Sequence, residues 1–401
     1  MSLKYDVSII IVNYNGKKYI DNLFFSLGNL NCPDFTFETV FVDNNSSDGS
    51  IEYLRSLAVD EKLHLSIVES KTNLGFAGGN NLGVKNSSGK NIVLLNNDTA
   101  VDKNWLTNLY HYFISHDYGI VNSKLLFFYD FIKLTFKTQD KIIFNRIIKI
   151  NGQDYKIDNK FCKNLLCGPE TITAFGHSEI SIPLIQKSAN YSFLINAEFF
   201  NRDTDSILCC GKEFNVDENG IFSITLDKSE IEKKKYSLVQ NAGSFVNESF
   251  DGGDIGFCEI NSPKFNKEYE INNACGAAII FKKDDFDKAG GFDERFFMYY
   301  EDTDLSYRIK KLGRKLAYCP DALVRHIHTG SSTEWSPFFV YHVIRNKLLF
   351  VWKNISKKKA LCLVFRQYAS GLWHNDKMKR KAALDALKII IGMKNVSYRE
   401  F

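Results

Sequence analysis

Polar side chains follow three predicted strands, over residues 7–12, 39–42 and 92–95. The residues at these strand ends are Asn13 and Asn15, Asp43 and Asn45, and Asn97 and Asp98. Carboxylate and amide oxygens at a strand end suit a hard divalent cation, Mg²⁺ or Mn²⁺, that is already bound to a diphosphate. The same residue types also make good turns and helix caps, so a structural role remains open for Asp98 taken alone.

Three acidic residues begin a predicted helix over 302–312, directly after an aromatic run. They are Glu301, Asp302 and Asp304. The helix dipole favours their ionised forms, and a general base must be ionised and placed against the proton that it removes. Asp304 and Arg308 are four residues apart and are expected to pair with each other. Acids that only begin a helix beside packed aromatic rings are the structural alternative.

A glycine-rich segment, residues 73–83, is predicted as a loop that leads from a strand into a helix. It contains Asn73, Gly75, Gly79 and Asn80. Glycines allow a backbone to approach a ligand, and the start of a helix favours anions. The segment has neither GxGxxG spacing nor the lysine of a P-loop, so it is a weak motif when taken alone.

Two histidines, His326 and His328, follow a predicted strand over 315–319. Side chains two residues apart lie on the same face of an extended segment. One of the two could therefore complete a metal site with Asp98, while the other is expected to be an ordinary surface histidine.

The elements that must position these residues alternate between strands and helices over the first 125 residues. Such βα repeats predict a mostly parallel sheet flanked by helices, in which ligands bind beyond the carboxyl ends of the strands. The chain has 401 residues, 44% hydrophobic residues and a net charge of +4. This charge is too small to indicate nucleic-acid binding, and no nucleic-acid-binding motif is present.

The pattern divides the chain into four segments. Residues 1–126 form the first α/β segment, 127–237 an inserted β-rich subdomain, 238–335 a second α/β segment, and 336–401 C-terminal helices. A basic helix is predicted over 378–393, with Leu384, Leu387, Ile390 and Ile391 on one side. Core packing is the first interpretation of that side, and docking on a membrane surface is the second.

Nine scattered cysteines form no CxxC pair, which favours reduced thiols over a zinc site. The chain begins directly with a strand-like segment and has no apolar run of about 18 residues, the length needed to span a bilayer. These features predict a protein that is cytoplasmic or peripheral at the inner face of the cell membrane.

In combination these segments resemble family 2 glycosyltransferases of the GT-A fold, in their bacterial rhamnosyltransferase-like branch. The matching motifs fall in order over about two thirds of the chain: VSIIIVNYN (7–15), DNNSSDG (43–49), NLGFAGGNN (73–81), LLNNDT (94–99), Gly276-Ala277, GFDE (291–294), YEDTDLSYR (300–308), YCP (318–320), His326 and Arg345-Asn346. The resemblance implies a GT-A sheet and an enzyme that inverts the anomeric centre.

The resemblance also implies the role of each site residue. Asp43 would bind the base of the nucleotide beside residues 13–15, and the glycine-rich segment would cover the donor. Asn96-Asn97-Asp98 stands at the family's DxD-type motif, with asparagine in place of the first carboxylate. Asp98 would therefore carry the cation and diphosphate contact, with His326 as a second contact. Asp302 would be the catalytic base and Glu301 its neighbour.

The implied donor is a nucleoside-diphosphate sugar, such as dTDP-rhamnose or a UDP-sugar, and the implied acceptor is a glycan or a lipid-linked sugar. Two alternatives remain open. A nucleotidyltransferase would need a glycine-rich, basic loop after the first strand, and residues 13–17 offer little of it. A non-catalytic carbohydrate-binding protein would use the β-rich insert. The sequence does not decide the donor sugar, the linkage or the oligomeric state.

Overall fold

The computed structural model describes residues 4–185, 188, 190–327 and 336–392. The chain folds as two compact units. The first contains residues 1–128, 240–257 and 262–401, and the second contains residues 129–239 and 258–261. The β-rich region that the sequence places at 127–237 falls almost wholly within the second unit.

The N-terminal part of the first unit alternates strands and helices. Its strands are β1 (Tyr5–Asn13), β2 (Phe37–Asp43), β3 (Leu65–Glu69), β4 (Gly89–Leu95), β5 (Thr99–Val101) and β6 (Tyr118–Phe127). Its helices are α1 (Ile20–Gly28), α2 (Ser50–Ser56), α3 (Gly75–Lys85) and α4 (Trp105–Ile114). Ile9, Ile10 and Ile11 of β1 are all fully buried, as expected for a central strand that is covered on both faces.

The second unit contains nine strands and one α-helix among its described residues. They are β7 (Phe131–Asn145), β8 (Ile147–Ile150), β9 (Gln153–Lys156), β10 (Cys162–Cys167), β11 (Thr171–Pro183), β12 (Asn190–Phe199), β13 (Ser206–Cys209), β14 (Lys212–Asn215), β15 (Ile221–Asp227) and α5 (Lys228–Lys234). Phe222, Ile224 and Leu226 of β15 are buried, whereas the residues between them are exposed. This alternation is typical of an antiparallel sheet with one packed face, and the unit has its own apolar core.

The chain then returns to the first unit. The remaining strands are β16 (Val239–Asn241), β17 (Ser244–Val246), β18 (Gly252–Asp254), β19 (Tyr269–Ile271), β20 (Ala278–Lys282) and β21 (Lys315–His326). The remaining helices are α6 (Lys283–Ala289), α7 (Glu301–Lys311), α8 (Pro337–Phe350), α9 (Lys357–Trp373) and α10 (Lys377–Ile390), with a π-helical segment at Val351–Ile355 between α8 and α9.

The main sheet has the strand order β19-β21-β6-β20-β4-β1-β2-β3. Strands β4, β1, β2 and β3 run parallel, and β20 is antiparallel to both β4 and β6. The carboxyl ends of β1, β2 and β4 therefore meet at one edge, where the sequence places the polar strand ends. Antiparallel pairing sets the start of β20 beside the end of β4, because Ala278 pairs with Leu95.

The C-terminal helices differ from the prediction in the face that they bury. Ala382, Ala386 and Ile389 of α10 are buried, whereas Leu384 is 43% and Ile391 64% exposed. The prediction that Leu384, Leu387, Ile390 and Ile391 form the packed side is therefore wrong for its two ends. Small alanines allow α10 to approach its neighbours closely, and Leu387 and Ile390 are only partly buried at the edge of that contact. Among the described residues, no helix is long and apolar enough to cross a membrane.

Candidate active site

The structure brings Asp98 and His326 together. Asp98 lies between β4 and β5 and is 4% exposed. Strand β5 pairs with β21, which sets Thr99 opposite His326. As a result His326 Nε2 lies 3.0 Å from Asp98 Oδ1. The sequence predicted that these two residues would share a metal site, and His328 lies outside the described residues.

The hydrogen bonds of His326 determine which of its nitrogens carries the proton. His326 Nδ1 lies 2.8 Å from Gln240 Oε1, which can only accept, so Nδ1 donates. In the neutral ring Nε2 then has a lone pair, toward which Asn96 Nδ2 points from 3.3 Å. Asp98 Oδ1 is buried and accepts no hydrogen bond. Two acceptor atoms thus face each other, an arrangement that a proton or a metal cation stabilises.

The Asp98–His326 pair fits a divalent cation. Adjacent ligands of an octahedral cation bound at about 2.1 Å lie roughly 2.9 Å apart, and the two atoms here are 3.0 Å apart. The described residues contain no group of three or more histidine, cysteine or acidic side chains that could hold a metal. A cation of the Mg²⁺ type usually takes one or two protein ligands and completes its shell with phosphate oxygens and water. The pair is therefore suited to a cation that arrives with a diphosphate.

A chain of hydrogen bonds connects the carboxyl ends of three strands. Asn97 Nδ2 donates to Asn13 Oδ1 over 2.8 Å. Asn13 Nδ2 in turn donates to Asp43 Oδ1 over 3.2 Å. Asn97, Asn13 and Asp43 are all buried. The sequence assigned all three to the nucleotide-sugar site, and the fold brings them to one edge of the sheet beside Asp98.

The two remaining strand-end asparagines shape turns. Asn15 and Asn45 have φ angles of 51° and 66°, a backbone conformation that asparagine tolerates better than most residues. Asn15 Oδ1 accepts a hydrogen bond from the backbone amide of Ser47 over 2.8 Å. Both asparagines are exposed, so their side chains border the polar edge rather than filling it.

The glycine-rich segment is helical from Gly75 onward, which corrects the prediction of a loop over this stretch. A Cβ atom on Gly79 would lie 2.7 Å from Val12 Cγ1, so the glycine permits α3 to pack against β1. Asn80 is buried and donates to the carbonyl of Phe76 over 2.9 Å. Asn73 Oδ1 accepts from the amide of Gly75 over 2.9 Å. The structure therefore gives Gly79 and Asn80 packing roles that the motif did not suggest.

Asp302 lies in the first turn of α7 and is held by backbone amides. Its Oδ2 accepts from Gly276 over 3.0 Å, and its Oδ1 accepts from Thr303 over 2.7 Å. Ala277, the residue after Gly276, accepts a hydrogen bond from the backbone of Asn96 over 2.9 Å. Asp302 is therefore fixed beside the end of β4, because Gly276, which binds it, directly precedes Ala277, which pairs with Asn96. Burial raises the pKa of Asp302, and the amide donors oppose that rise.

Glu301 has a different environment from Asp302. It is 5% exposed, and its Oε2 has no hydrogen-bond partner. Burial first, and the neighbouring charge of Asp302 second, raise the pKa of Glu301 well above its usual value. Burial thus disfavours the ionised form of Glu301, whereas the amides of Gly276 and Thr303 favour the ionised form of Asp302, so Asp302 is the better suited of the two to accept a proton.

Asp304, the third acid of this helix, belongs to a buried ion-pair network. Arg308 Nη2 lies 2.7 Å and Lys353 Nζ 2.9 Å from Asp304 Oδ2. Asn354 Nδ2 donates to Asp304 Oδ1 over 2.7 Å. The predicted pairing of Asp304 with Arg308 is confirmed. Its carboxylate is fully engaged and holds α7 in place.

The loop before α7 has a strained backbone. Phe297, Tyr299 and Tyr300 have φ angles of 64°, 69° and 69°, which are unfavourable for bulky side chains. Asn346 Nδ2 lies within hydrogen-bond distance of the carbonyl oxygens of Phe296, Met298 and Tyr299, at 2.7–2.8 Å. Asn346 is fully buried on α8, so this contact ties the start of α7 to the C-terminal helices.

Sequence reasoning missed four polar residues that support the site. They are Asn122, Gln240, Asn241 and Asp254. Asn122 Oδ1 accepts from the amide of Cys275 over 2.7 Å, and Asn122 Nδ2 donates to Asn241 Oδ1 over 3.0 Å. They lie outside the quoted motifs, and Gln240, Asn241 and Asp254 are distant in the chain from Asn122, so no local pattern marks them.

Asp254 adds a further carboxyl group to this region. Its Oδ1 accepts from Asn241 Nδ2 over 2.6 Å and from Ser244 Oγ over 2.9 Å. Burial raises the pKa of Asp254, with a smaller effect in the same direction from Asp302 and an opposite effect from His326. The Asp254 carboxyl is therefore within the electrostatic reach of both the candidate base and the candidate metal ligand.

Comparisons with known protein families match two ranges of this sequence to family models. The model of the family described as "Glycosyl transferase family 2" matches residues 8–174. A model described as "N-terminal domain of galactosyltransferase" matches residues 258–330. The two matched ranges contain the strand ends with Asp43 and Asp98, and the segment with Asp302 and His326, respectively. Residues 8–174 therefore match a glycosyl transferase family 2 domain, the family that the sequence motifs resemble.

Curated relatives include several named glycosyltransferases. The low-salt glycan biosynthesis hexosyltransferase Agl10 of Haloferax volcanii is 32% identical over 125 residues, which cover 30% of this chain and 37% of the relative. An N-acetylglucosaminyl-diphospho-decaprenol L-rhamnosyltransferase of Mycobacterium tuberculosis is 44% identical over 62 residues, 16% of this chain and 20% of the relative. The matches therefore span well under half the length of these relatives.

Solved structures match this chain at low sequence identity. A crystal structure of GalNAc-T7 with UDP, GalNAc and Mn²⁺ matches with a TM-score of 0.49 and 13% identity, covering 99% of this chain and 52% of that chain.

Proposed function

We propose that this protein transfers a sugar from a nucleoside-diphosphate sugar to a glycan or a lipid-linked acceptor, with inversion at the anomeric carbon. The observation that carries the proposal is the position of Asp302. Gly276 holds its carboxylate beside the end of β4, the strand that leads to Asp98. A base and a diphosphate site at one edge of a sheet are the two parts that such a transfer requires.

Asp302 acts as the general base in this proposal. Its pKa is raised by burial, which makes the carboxylate a stronger base than an exposed aspartate. The amides of Gly276 and Thr303 fix the direction of the carboxylate and favour its ionised form. An acceptor hydroxyl held against Asp302 loses its proton to this carboxylate as its oxygen attacks the anomeric carbon. The bond from that carbon to the diphosphate oxygen breaks in the same displacement.

Asp98 and His326 bind the diphosphate end of the donor through a divalent cation, Mg²⁺ or Mn²⁺. The cation, when bound, neutralises negative charge that develops on the departing diphosphate. Gln240 accepts from Nδ1 of His326 and so leaves Nε2, which lies 3.0 Å from Asp98 Oδ1, without a proton in the neutral ring. The Asp43–Asn13–Asn97 chain supports the nucleotide, with Asp43 as an acceptor for the base or ribose. Asn15, Asn45, Asn73 and Gly75 border the same edge.

The relatives suggest the class of substrate. Among the named relatives are an N-acetylglucosaminyl-diphospho-decaprenol L-rhamnosyltransferase and a poly(ribitol-phosphate) β-N-acetylglucosaminyltransferase. We propose a dTDP-rhamnose or UDP-sugar donor and a role in the synthesis of cell-surface polysaccharide. We also propose a peripheral membrane contact through the C-terminal helices. This proposal is separate from sugar transfer, because a lipid-binding assay tests it without measuring transfer.

A panel of sugar nucleotides tests the proposal directly. Purified protein is heated with each donor in the presence of Mn²⁺, and a bound donor raises the melting temperature with its concentration. Donors that bind are then assayed for release of the nucleoside diphosphate with lipid-linked and polysaccharide acceptors. Binding of at least one donor with Mn²⁺-dependent release supports the proposal. Release of pyrophosphate from nucleoside triphosphates would instead identify a nucleotidyltransferase.

A further inference from the structure

Helix α9 exposes large apolar side chains on one face. Phe365 is 71%, Leu372 57% and Trp373 87% exposed, and Cys362 and Ala369 beside them are exposed as well. Their spacing of three, four and seven residues aligns them along one side of the helix. Large apolar residues that form a continuous stripe on a surface usually mark a contact site.

The opposite face of α9 is used for packing. Ala360, Val364 and Gly371 are buried. A Cβ atom on Gly371 would lie 2.8 Å from Arg380 Cγ, so the glycine allows α9 and α10 to pack closely. The exposed stripe is therefore not the side with which the helix joins the core.

The charge of this helical pair is strongly positive. Residues 357–392 contain nine lysines and arginines and two aspartates. Asp385 is buried and accepts from Tyr341 Oη over 2.8 Å, while Asp376 caps α10 by accepting from the amide of Lys379 over 3.0 Å. Lys357, Lys358 and Lys359 at the start of α9 are exposed. The two aspartates also lie near Lys388 and Lys379, at 2.9 Å and 3.9 Å, so nine basic groups less two acids leave a formal net charge of +7 over residues 357–392.

We propose that the α9–α10 pair docks on an anionic lipid bilayer, with Phe365, Leu372 and Trp373 entering the headgroup region. Apolar side chains beside lysines and arginines are the combination that binds a helix to the surface of an anionic membrane. Tryptophan in particular favours the interface between lipid and water. A second copy of the chain is the alternative occupant. A symmetric contact would oppose two surfaces of the same positive sign, which repel each other, so charge favours the bilayer.

Binding of the full chain to vesicles tests this proposal without reference to sugar transfer. Vesicles of phosphatidylglycerol mixed with phosphatidylcholine should sediment the protein, and vesicles of phosphatidylcholine alone should not. Added salt should weaken the binding. The variant with Phe365→Ser and Trp373→Ser should lose at least about tenfold in affinity, because burial of each side chain contributes to binding. Replacing Lys357, Lys358 and Lys359 by glutamate should reduce both the affinity and its dependence on salt.

Phe25→Ser provides the matched control. Phe25 on α1 is 78% exposed and lies outside the C-terminal helices, so its replacement should leave vesicle binding unchanged. Equal melting temperatures of all variants would show that each is folded. The proposal is overturned if the unmodified protein does not bind anionic vesicles, or if the Phe365/Trp373 variant binds as well as the unmodified protein. A concentration-dependent dimer that this variant loses, without lipid binding, would assign the stripe to a second copy.

Discussion

His326 Nε2 lies 3.0 Å from Asp98 Oδ1, and Gln240 sets the ring so that this nitrogen is free of a proton in the neutral form. The two atoms come from segments more than 200 residues apart in the chain, and the pairing of β5 with β21 brings them together. A lone pair that faces a buried carboxylate is costly unless a positive charge is shared between them. The relationship predicts that the pair binds a cation.

Replacement of Asp98 should abolish this binding. Asp98→Asn removes the negative charge and leaves the shape, so we expect a loss of Mn²⁺ affinity larger than tenfold in the presence of the nucleoside diphosphate. Electron paramagnetic resonance of free Mn²⁺ measures the loss without an activity assay. Asp284→Asn is the control, because Asp284 is an exposed partner of Lys288 on α6. Equal Mn²⁺ affinity in the Asp98 and Asp284 variants would show that the cation binds elsewhere.

Gln240 should act on the cation through His326. Groups that orient a metal-bound histidine commonly contribute about 10–100-fold to metal affinity. Gln240→Leu removes the acceptor for Nδ1, so both ring nitrogens can take the proton and Mn²⁺ binding should fall within that range. Gln240→Glu retains an acceptor and should restore most of the affinity. If Gln240→Leu binds Mn²⁺ as the unmodified protein does, the orientation of His326 does not depend on this contact.

Glu301→Gln should stabilise the protein in a pH-dependent way. The folded state raises the pKa of Glu301, so the folded protein holds a proton that the unfolded chain releases above its ordinary pKa. The unmodified protein therefore loses stability as pH rises from that ordinary value toward the raised one. Each unit of difference is worth about 1.4 kcal/mol. Urea unfolding should give the variant and the unmodified protein equal free energies of unfolding near pH 4, and the variant the larger one at pH 7. If the difference between the two proteins is the same at both pH values, the pKa of Glu301 is not raised in the folded state.

Asn346→Ala should destabilise the strained loop before α7. The substitution removes a side chain that satisfies buried carbonyl oxygens of residues 296, 298 and 299. An unsatisfied buried polar group costs about 1–3 kcal/mol, so the melting temperature should fall. Transfer should also fall, because Asp302 follows this loop. Asn108→Ala is a matched control on α4: its amide donates to the carbonyl of Asp321 at an exposed position, so a much smaller effect is expected. Equal effects would show that the loop does not depend on Asn346.

The acidic side of the pH–activity profile should reflect Asp302. Burial raises its pKa, so activity should be lost as pH falls through a value above that of an ordinary aspartate. The profile of kcat/KM against pH reports the free enzyme and is the measurement of choice. An acidic limb that lies at or below the usual pKa of aspartate would argue against this residue as the base.

Part of this molecule was predictable from the sequence. Periodic apolar runs located the strands that end at Asn13, Asp43 and Leu95, because buried central strands have a strong pattern. The order of the motifs then indicated the family, and the family model matches residues 8–174. The pairing of Asp304 with Arg308 followed from helical spacing and is present.

Other features depend on contacts that no local pattern reveals. The helical state of Gly75–Asn81 follows from packing of Gly79 and Gly83 against Val12 and Ile10, and glycine-rich composition alone favours a loop. The supporting residues Gln240 and Asn241 contact the site from a short strand, without a motif of their own. The buried side of α10 is formed by alanines, which a search for large apolar residues overlooks.

The most direct test of the central claim is the rate of sugar transfer by the Asp302→Asn variant, with the donor found by thermal shift. Asparagine keeps the size of the side chain but cannot accept the proton, so transfer should fall about 10²–10⁴-fold. Donor-dependent stabilisation should remain, because Asp302 is not a ligand of the diphosphate in this account. Asp284→Asn, as the control, should transfer at the unmodified rate. Transfer by Asp302→Asn at the unmodified rate would contradict the assignment of Asp302 as the catalytic base.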